Sequence, residues 1–131
     1  LLRRLDPKQV VIFHCISLYP TPPEQVNLAR MEFIRERGFR VGFSDHTEGP
    51  EAAMLAIARG AEFIEKHFTL SRALPGKDQQ MSATPDVFHQ ICRWRDQVQL
   101  MMGQSQRELT ETEQKIRSIY DGKRGDNRAA R

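Results

Sequence analysis

The chain is poor in cysteine, in charge of one sign and in long apolar runs, and each shortage removes a class of function. Only two cysteines occur in 131 residues, Cys15 and Cys92, far apart and each in an apolar stretch. That placement predicts two buried thiols in a reducing compartment, not a disulfide or a metal cluster. The formal net charge is +3, and much of the surplus falls in the closing stretch DGKRGDNRAAR. A basic stretch confined to one end reads as a solvated tail, so nucleic acid is not an expected partner. No run approaches the roughly 20 apolar residues that a membrane span needs, so no membrane partner is expected either. No signal peptide is visible, and the cytoplasm is the expected compartment. Internal repeats and low-complexity segments are also missing.

What is present is an ordinary globular composition, 39% hydrophobic and 28% charged. The chain opens at Leu1 rather than Met, in the helix-like run LLRRLDPKQ, and is expected to be a segment of a longer protein. Residues 1–120 are expected to form one unit and 121–131 a flexible basic tail.

Strand and helix patterns alternate. The run QVVIFHCISLY (9–19) is almost continuously apolar and β-branched, as in a strand covered on both faces, and PTPP ends it. A helix is expected from Glu24 to Arg37 with Gly38 as its stop. A second strand follows at 40–44, then a helix at 50–59 between Pro50 and Gly60. The third strand, EFIEKHF (62–68), leads into the long loop TLSRALPGKDQQMSA. Thr84, Pro85 and Asp86 open a helix at 85–102. Its stripe of Val87, Ile91, Trp94, Val98 and Met101 should pack on the sheet, leaving Arg93, Arg95 and Gln99 outside. Thr110 and Glu113 have capping-box spacing for a last helix. This alternation means parallel βαβ units, whose ligands gather at the carboxyl ends of the strands.

Those ends carry Ser17 and Tyr19, Ser44 and His46, and Glu65 and His67. Side chains two apart on a strand share a face, so Ser44 lies under His46 and Glu65 under His67. Two neutral imidazoles on adjacent strands can bind one divalent ion, with water or substrate oxygens completing the shell. A single histidine is more often a hydrogen-bonded structural residue, and His14 and His89 are expected to be of that kind. Glu65 is either half of an internal ion pair or a carboxylate that positions ligand and handles protons. Lys77 and Asp78 lie in the long loop, where charges are mostly solvated. Gly42 and Gly49 suit close backbone approach and do not form a phosphate-binding motif. From the residues alone the reading stops at a metal-assisted enzyme on a parallel α/β scaffold.

Four segments in order, HCISLYPTP, VGFSDHTEG, IEKHFTL and PGKDQQMS, resemble the sialic acid synthase family. The resemblance runs from about Val10 to about Gly103 and more loosely to Tyr120. These enzymes condense phosphoenolpyruvate with an N-acetylated sugar such as N-acetylmannosamine. The family includes pseudaminic and legionaminic acid synthases and spore-coat polysaccharide enzymes. The resemblance implies the last three strands of a (β/α)8 barrel. It implies that His46 and His67 hold a divalent metal, Mn2+ or else Mg2+ or another divalent ion. Ser44 matches a serine near the phosphoenolpyruvate phosphate, Tyr19 the tyrosine of the YPTP strand end, and Ser17 a position that is asparagine in some members. Glu65 and Asp78 match acidic residues around the sugar, with roles that could be exchanged.

The implied reaction is attack by C3 of phosphoenolpyruvate on the open-chain aldehyde, which the metal polarises. Water then adds at C2 and phosphate leaves. The resemblance also implies a homodimer in which an antifreeze-like domain reaches into the partner's site; this chain is expected to lack that domain. It places the phosphate-gripping lysines on earlier strands, so the segment alone is expected to be inactive. A different metal-dependent aldolase or isomerase, or a non-catalytic module, would share the same scaffold.

Overall fold

Three short runs containing β-branched and aromatic residues pair side by side and bury one face of the sheet they form. In the computed structural model, residues 6–103 and 108–126 are described, the side chains of 122–126 excepted. Strands β1 (Val11–Cys15), β2 (Arg40–Asp45) and β3 (Phe63–Lys66) form one parallel sheet in chain order. The register aligns Phe13, Gly42 and Phe63 in one row and Cys15, Ser44 and Glu65 in another on the same face. His14, Phe43 and Ile64 form a row on the opposite face, and the Asp45–Lys66 pair ends the ladder there.

Helices α1 (Arg30–Arg35) and α2 (Glu51–Ala58) cover that second face. The core is built from Val26, Leu28, Met31, Val41, Phe43 and Ala56. The expected helix over Glu24–Arg37 is shorter. A single 3-10 turn at Pro23–Gln25 is separated from α1 by Asn27, whose φ is +48°. A left-handed residue cannot continue a right-handed helix, and its side chain tolerates that conformation better than most. Gly38, in the turn after α1, and Gly60, just past the cap of α2, have φ of +80° and +84°, as their sequence positions lead one to expect.

Helix α3 (Pro85–Met102) has the anticipated bounds and Thr84 as its N-cap, although the threonine side chain makes no capping bond. Its main partner is α2 rather than the sheet. Ile91 is buried, Val87, Trp94 and Val98 are half-buried, and the Trp94 indole N–H donates to the Met54 carbonyl at 2.8 Å. Met101 departs from the expected stripe and is 66% exposed. Arg93, Arg95 and Gln99 are exposed as expected.

Helix α4 (Glu111–Asp126) opens with the anticipated capping box. Glu113 Oε2 accepts from the Thr110 N–H at 2.7 Å, and the Thr110 hydroxyl accepts from the Glu113 N–H at 3.3 Å. The helix continues to Asp126, into the segment set apart as a tail; residues 127–131 and the opening LLRRL lie outside the described residues.

Candidate functional site

Above the Cys15–Ser44–Glu65 row, the chain leaves the ladder and each strand contributes to a small aromatic cluster. His46 follows β2 and His67 follows β3, with ring centroids 5.6 Å apart. The Tyr19 ring, from the loop after β1, lies 4.1 Å from His46 and meets His67 edge-on at 5.7 Å. That loop is tied down by its own polar groups. The Thr21 N–H donates to the His46 carbonyl at 2.8 Å, and the Thr21 hydroxyl donates to the Leu18 carbonyl at 2.7 Å.

The His46 ring is oriented by the Ile16 carbonyl, 2.7 Å from Nδ1. A carbonyl oxygen only accepts, so Nδ1 carries the proton and Nε2 keeps its lone pair. The Ser44 hydroxyl sits 3.5 Å from that Nε2 and donates to Glu65 Oε1 at 2.6 Å. Glu65 is therefore held by a hydroxyl and forms no ion pair among the described residues.

This donor set fits a divalent ion. One imidazole is fixed in the tautomer that frees Nε2, and 5.6 Å between ring centres suits two rings each about 2.0–2.3 Å from a shared ion. No group of three or more His, Cys, Asp or Glu side chains that could hold a metal occurs among the described residues. Of an ion's ligands, the described residues would therefore supply the two histidines.

The other candidates are less concentrated. Ser17 is exposed in the loop after β1. Asp78 is exposed in the long loop after β3, where its carbonyl accepts from the Ser82 N–H and hydroxyl. It is not brought against the histidines through any hydrogen bond among the described residues. Arg72 fastens the loop by donating to the Ser82 carbonyl at 3.1 Å and to the Glu48 carbonyl at 2.9 Å. A concavity of 580 Å³ lined by Pro20, Pro22, Val26, Thr47, Ala52 and Leu55 includes none of the candidate residues.

His14 is structural, its Nε2 donating to the Val26 carbonyl at 2.7 Å under the helices. The cysteines correct the sequence reading: both are exposed free thiols. Cys15 points to the face that the helices leave open, and Cys92 sits on the outer side of α3 next to buried Ile91. Apolar neighbours in sequence do not bury a residue whose face is uncovered. The sequence reading also passed over Asp45 and Lys66, a fully buried ion pair at 2.9 Å beneath the histidines. The alternation that pairs Ser44 with His46 puts these two residues together on the other face, so the signal is there to be read.

Comparison with known proteins adds a family. The model of the NeuB family matches residues 1–107. The chain is 36% identical over 110 residues to an N,N'-diacetyllegionaminic acid synthase of Campylobacter jejuni, covering 82% of this chain and 33% of that one. It is 43% identical over 86 residues to the spore coat polysaccharide biosynthesis protein SpsE of Bacillus subtilis, covering 63% of this chain and 23% of that one. Among solved structures, N-acetylneuraminic acid synthetase from Leptospira borgpetersenii superposes with a TM-score of 0.76 at 32% identity. The match covers 85% of this chain and 39% of that one. The chain thus spans about a third or less of the curated relatives just described. Its three parallel strands with their helices are a portion of a (β/α)8 barrel, as the resemblance implied. Among the described residues no helix is long and apolar enough to cross a membrane.

Proposed function

The chain belongs to the NeuB family, and on that premise we propose that it forms the metal-holding part of a nonulosonic acid synthase. The reaction is condensation of phosphoenolpyruvate with an N-acetylated sugar, N-acetylmannosamine or a relative, releasing phosphate. The observation that carries this reading is the convergence of His46 and His67 above the Ser44–Glu65 hydrogen bond at adjacent strand ends.

His46 and His67 would hold a divalent ion, Mn2+ by family resemblance, and such an ion would supply Lewis-acid polarisation of the sugar aldehyde. The residues of the chain prepare the rest. Ile16 holds His46 through Nδ1 and leaves Nε2 toward the Ser44 hydroxyl, and the Tyr19 ring covers one side of that imidazole. Ser44 donates to one oxygen of Glu65, leaving the other to accept a proton from the water that adds at C2. In this reading the new C–C bond joins C3 of phosphoenolpyruvate to the aldehyde carbon. The aldehyde oxygen takes up a proton and becomes a hydroxyl. Water adds at the C2 cation and gives one proton to Glu65, replacing the one consumed. The C2–O bond to phosphate then breaks as the C2 hydroxyl becomes the keto group, its proton leaving with the phosphate. By family resemblance Ser44, at the base of the site, is assigned to the phosphate, and Ser17 and Asp78, in the loops after β1 and β3, to the substrates.

Phosphate release from phosphoenolpyruvate, assayed with a panel of N-acetylated hexoses and Mn2+ in the intact protein, tests the reading. Release that depends on the sugar is expected. Failure with every sugar, in a folded protein that binds the metal, would refute it.

A further inference from the structure

The sheet ends in an ion pair that the site chemistry does not use. Lys66 Nζ lies 2.9 Å from Asp45 Oδ2, with side-chain exposures of 1% and 0%. The ammonium also donates to the Thr47 carbonyl, and Asp45 Oδ1 accepts from the Thr47 N–H at 2.8 Å. Every polar atom of the pair therefore has a partner, and both peptide groups of Thr47 are gripped from below.

Its position matters more than its strength. Asp45 and Lys66 are the last register pair of β2 and β3. His46 and His67 are the next residue on each strand and face the other way. The backbone ladder sets the strand spacing up to this rung and no further. Beyond it, the separation of the two imidazoles depends on whatever holds the first residues past the ladder. On the β2 side these are the Thr21 N–H on the His46 carbonyl, the Ile16 carbonyl on its Nδ1 and, from beneath, the grip on Thr47. On the β3 side the Ala83 N–H donates to the His67 carbonyl at 2.7 Å, and Lys66 lies just before that residue. Removing two charges from water is costly, and apolar residues of similar volume often stabilise a core as well or better. Register is the use of such a pair that stability does not explain.

We propose that Asp45 and Lys66 are positioning residues that hold His46 and His67 at the separation needed to share one ion. This rests on the metal reading of the site, so the test includes a metal-free arm. Lys66→Met alone strands a buried carboxylate and can fail to fold. The double variant Asp45→Asn/Lys66→Met removes both charges at nearly constant volume and is the decisive one. In the intact protein, thermal melting reports the fold, electron paramagnetic resonance the Mn2+ affinity, and 15N-histidine NMR of the metal-free protein the tautomer of His46. The double variant should melt within about 5 °C of the wild type, lose the Nδ1-protonated signature of His46, and bind Mn2+ at least tenfold more weakly. Where the wild type binds Mn2+, affinity decides: a folded double variant within twofold of the wild type overturns the proposal. Where the wild type does not bind Mn2+, the metal reading has failed and the tautomer decides, an unchanged His46 signature overturning the positioning role. A double variant that does not fold also overturns it, because the pair then serves stability.

Discussion

The two faces of the sheet are drawn from alternate residues of the same strands, yet they have opposite fates. Toward the helices, Phe43 is 2% exposed, and His14, Asp45 and Lys66 are buried with every polar side-chain atom satisfied among the described residues. On the other face, Phe13 and Phe63 are 39% and 41% exposed, and Cys15 and Glu65 are open as well. The first face is complete: α1 and α2 supply its cover from within the chain. The second is the face that a closed barrel turns inward, and the described residues do not cover it. Lower on this face Phe13 and Phe63 meet with ring centroids 6.4 Å apart, and at its upper edge Tyr19, His46 and His67 cluster over Ser44. The candidate polar groups lie at that upper edge.

This contrast can be broken most severely at the histidines. His46→Ala in the intact protein should reduce metal-dependent turnover by at least about 100-fold, with a thermal melt close to wild type. A large loss of stability together with activity would place His46 in the core rather than the site. Next in size is Phe43→Ala, which should cost about 3–5 kcal/mol by denaturant titration. Phe13→Ala, one row away on the open face, should cost about 1 kcal/mol or less where that face stays uncovered. Its cost should approach that of Phe43→Ala where further strands close over it. Equal costs in an uncovered chain would erase the distinction between the faces.

A smaller effect tests the outer layer. Trp94 is half-buried and its indole N–H is used, so Trp94→Ala should cost about 2–3 kcal/mol, whereas Met101→Ala should change stability by less than about 0.5 kcal/mol. The smallest effect concerns α4. The Thr110 hydroxyl and N–H, both donating to Glu113, hold its carboxyl below the usual range. A depressed folded value means the cap contributes fully above the unfolded carboxylate value of about 4.3. That contribution is lost as pH falls through the lower folded value. Amide exchange in the first turn of α4 should accelerate over that acidic window, and Glu113→Gln should flatten the dependence.

Much of the fold was legible because its signals are local. The three apolar runs, the glycines after α1 and α2, the TPD start of α3 and the capping box of α4 each depend on a few neighbouring residues. The site was legible in outline for a related reason: alternation along a strand places Ser44 with His46 and Glu65 with His67 without knowledge of the fold. Asn27 was not, since its break in the expected helix depends on how the PTPP loop must turn back toward the sheet. Asp78 was legible only as a resemblance, because nothing local determines where a 15-residue loop puts one exposed carboxylate.

Sequence by itself determined the alternation of strands and helices, their parallel order, and which residues stand at the strand ends, since periodicity and stop signals act over a few residues. Tertiary structure alone decided what each face meets. It exposed Cys15 and Cys92 despite apolar neighbours, turned α3 onto α2, and closed Asp45 on Lys66 across 21 residues of chain. It also brought two imidazoles from different strands to 5.6 Å, with the Tyr19 ring 4.1 Å from one of them. Burial and convergence are properties of what lies opposite a residue, and what lies opposite is set by the packing of distant segments rather than by the neighbours in the chain.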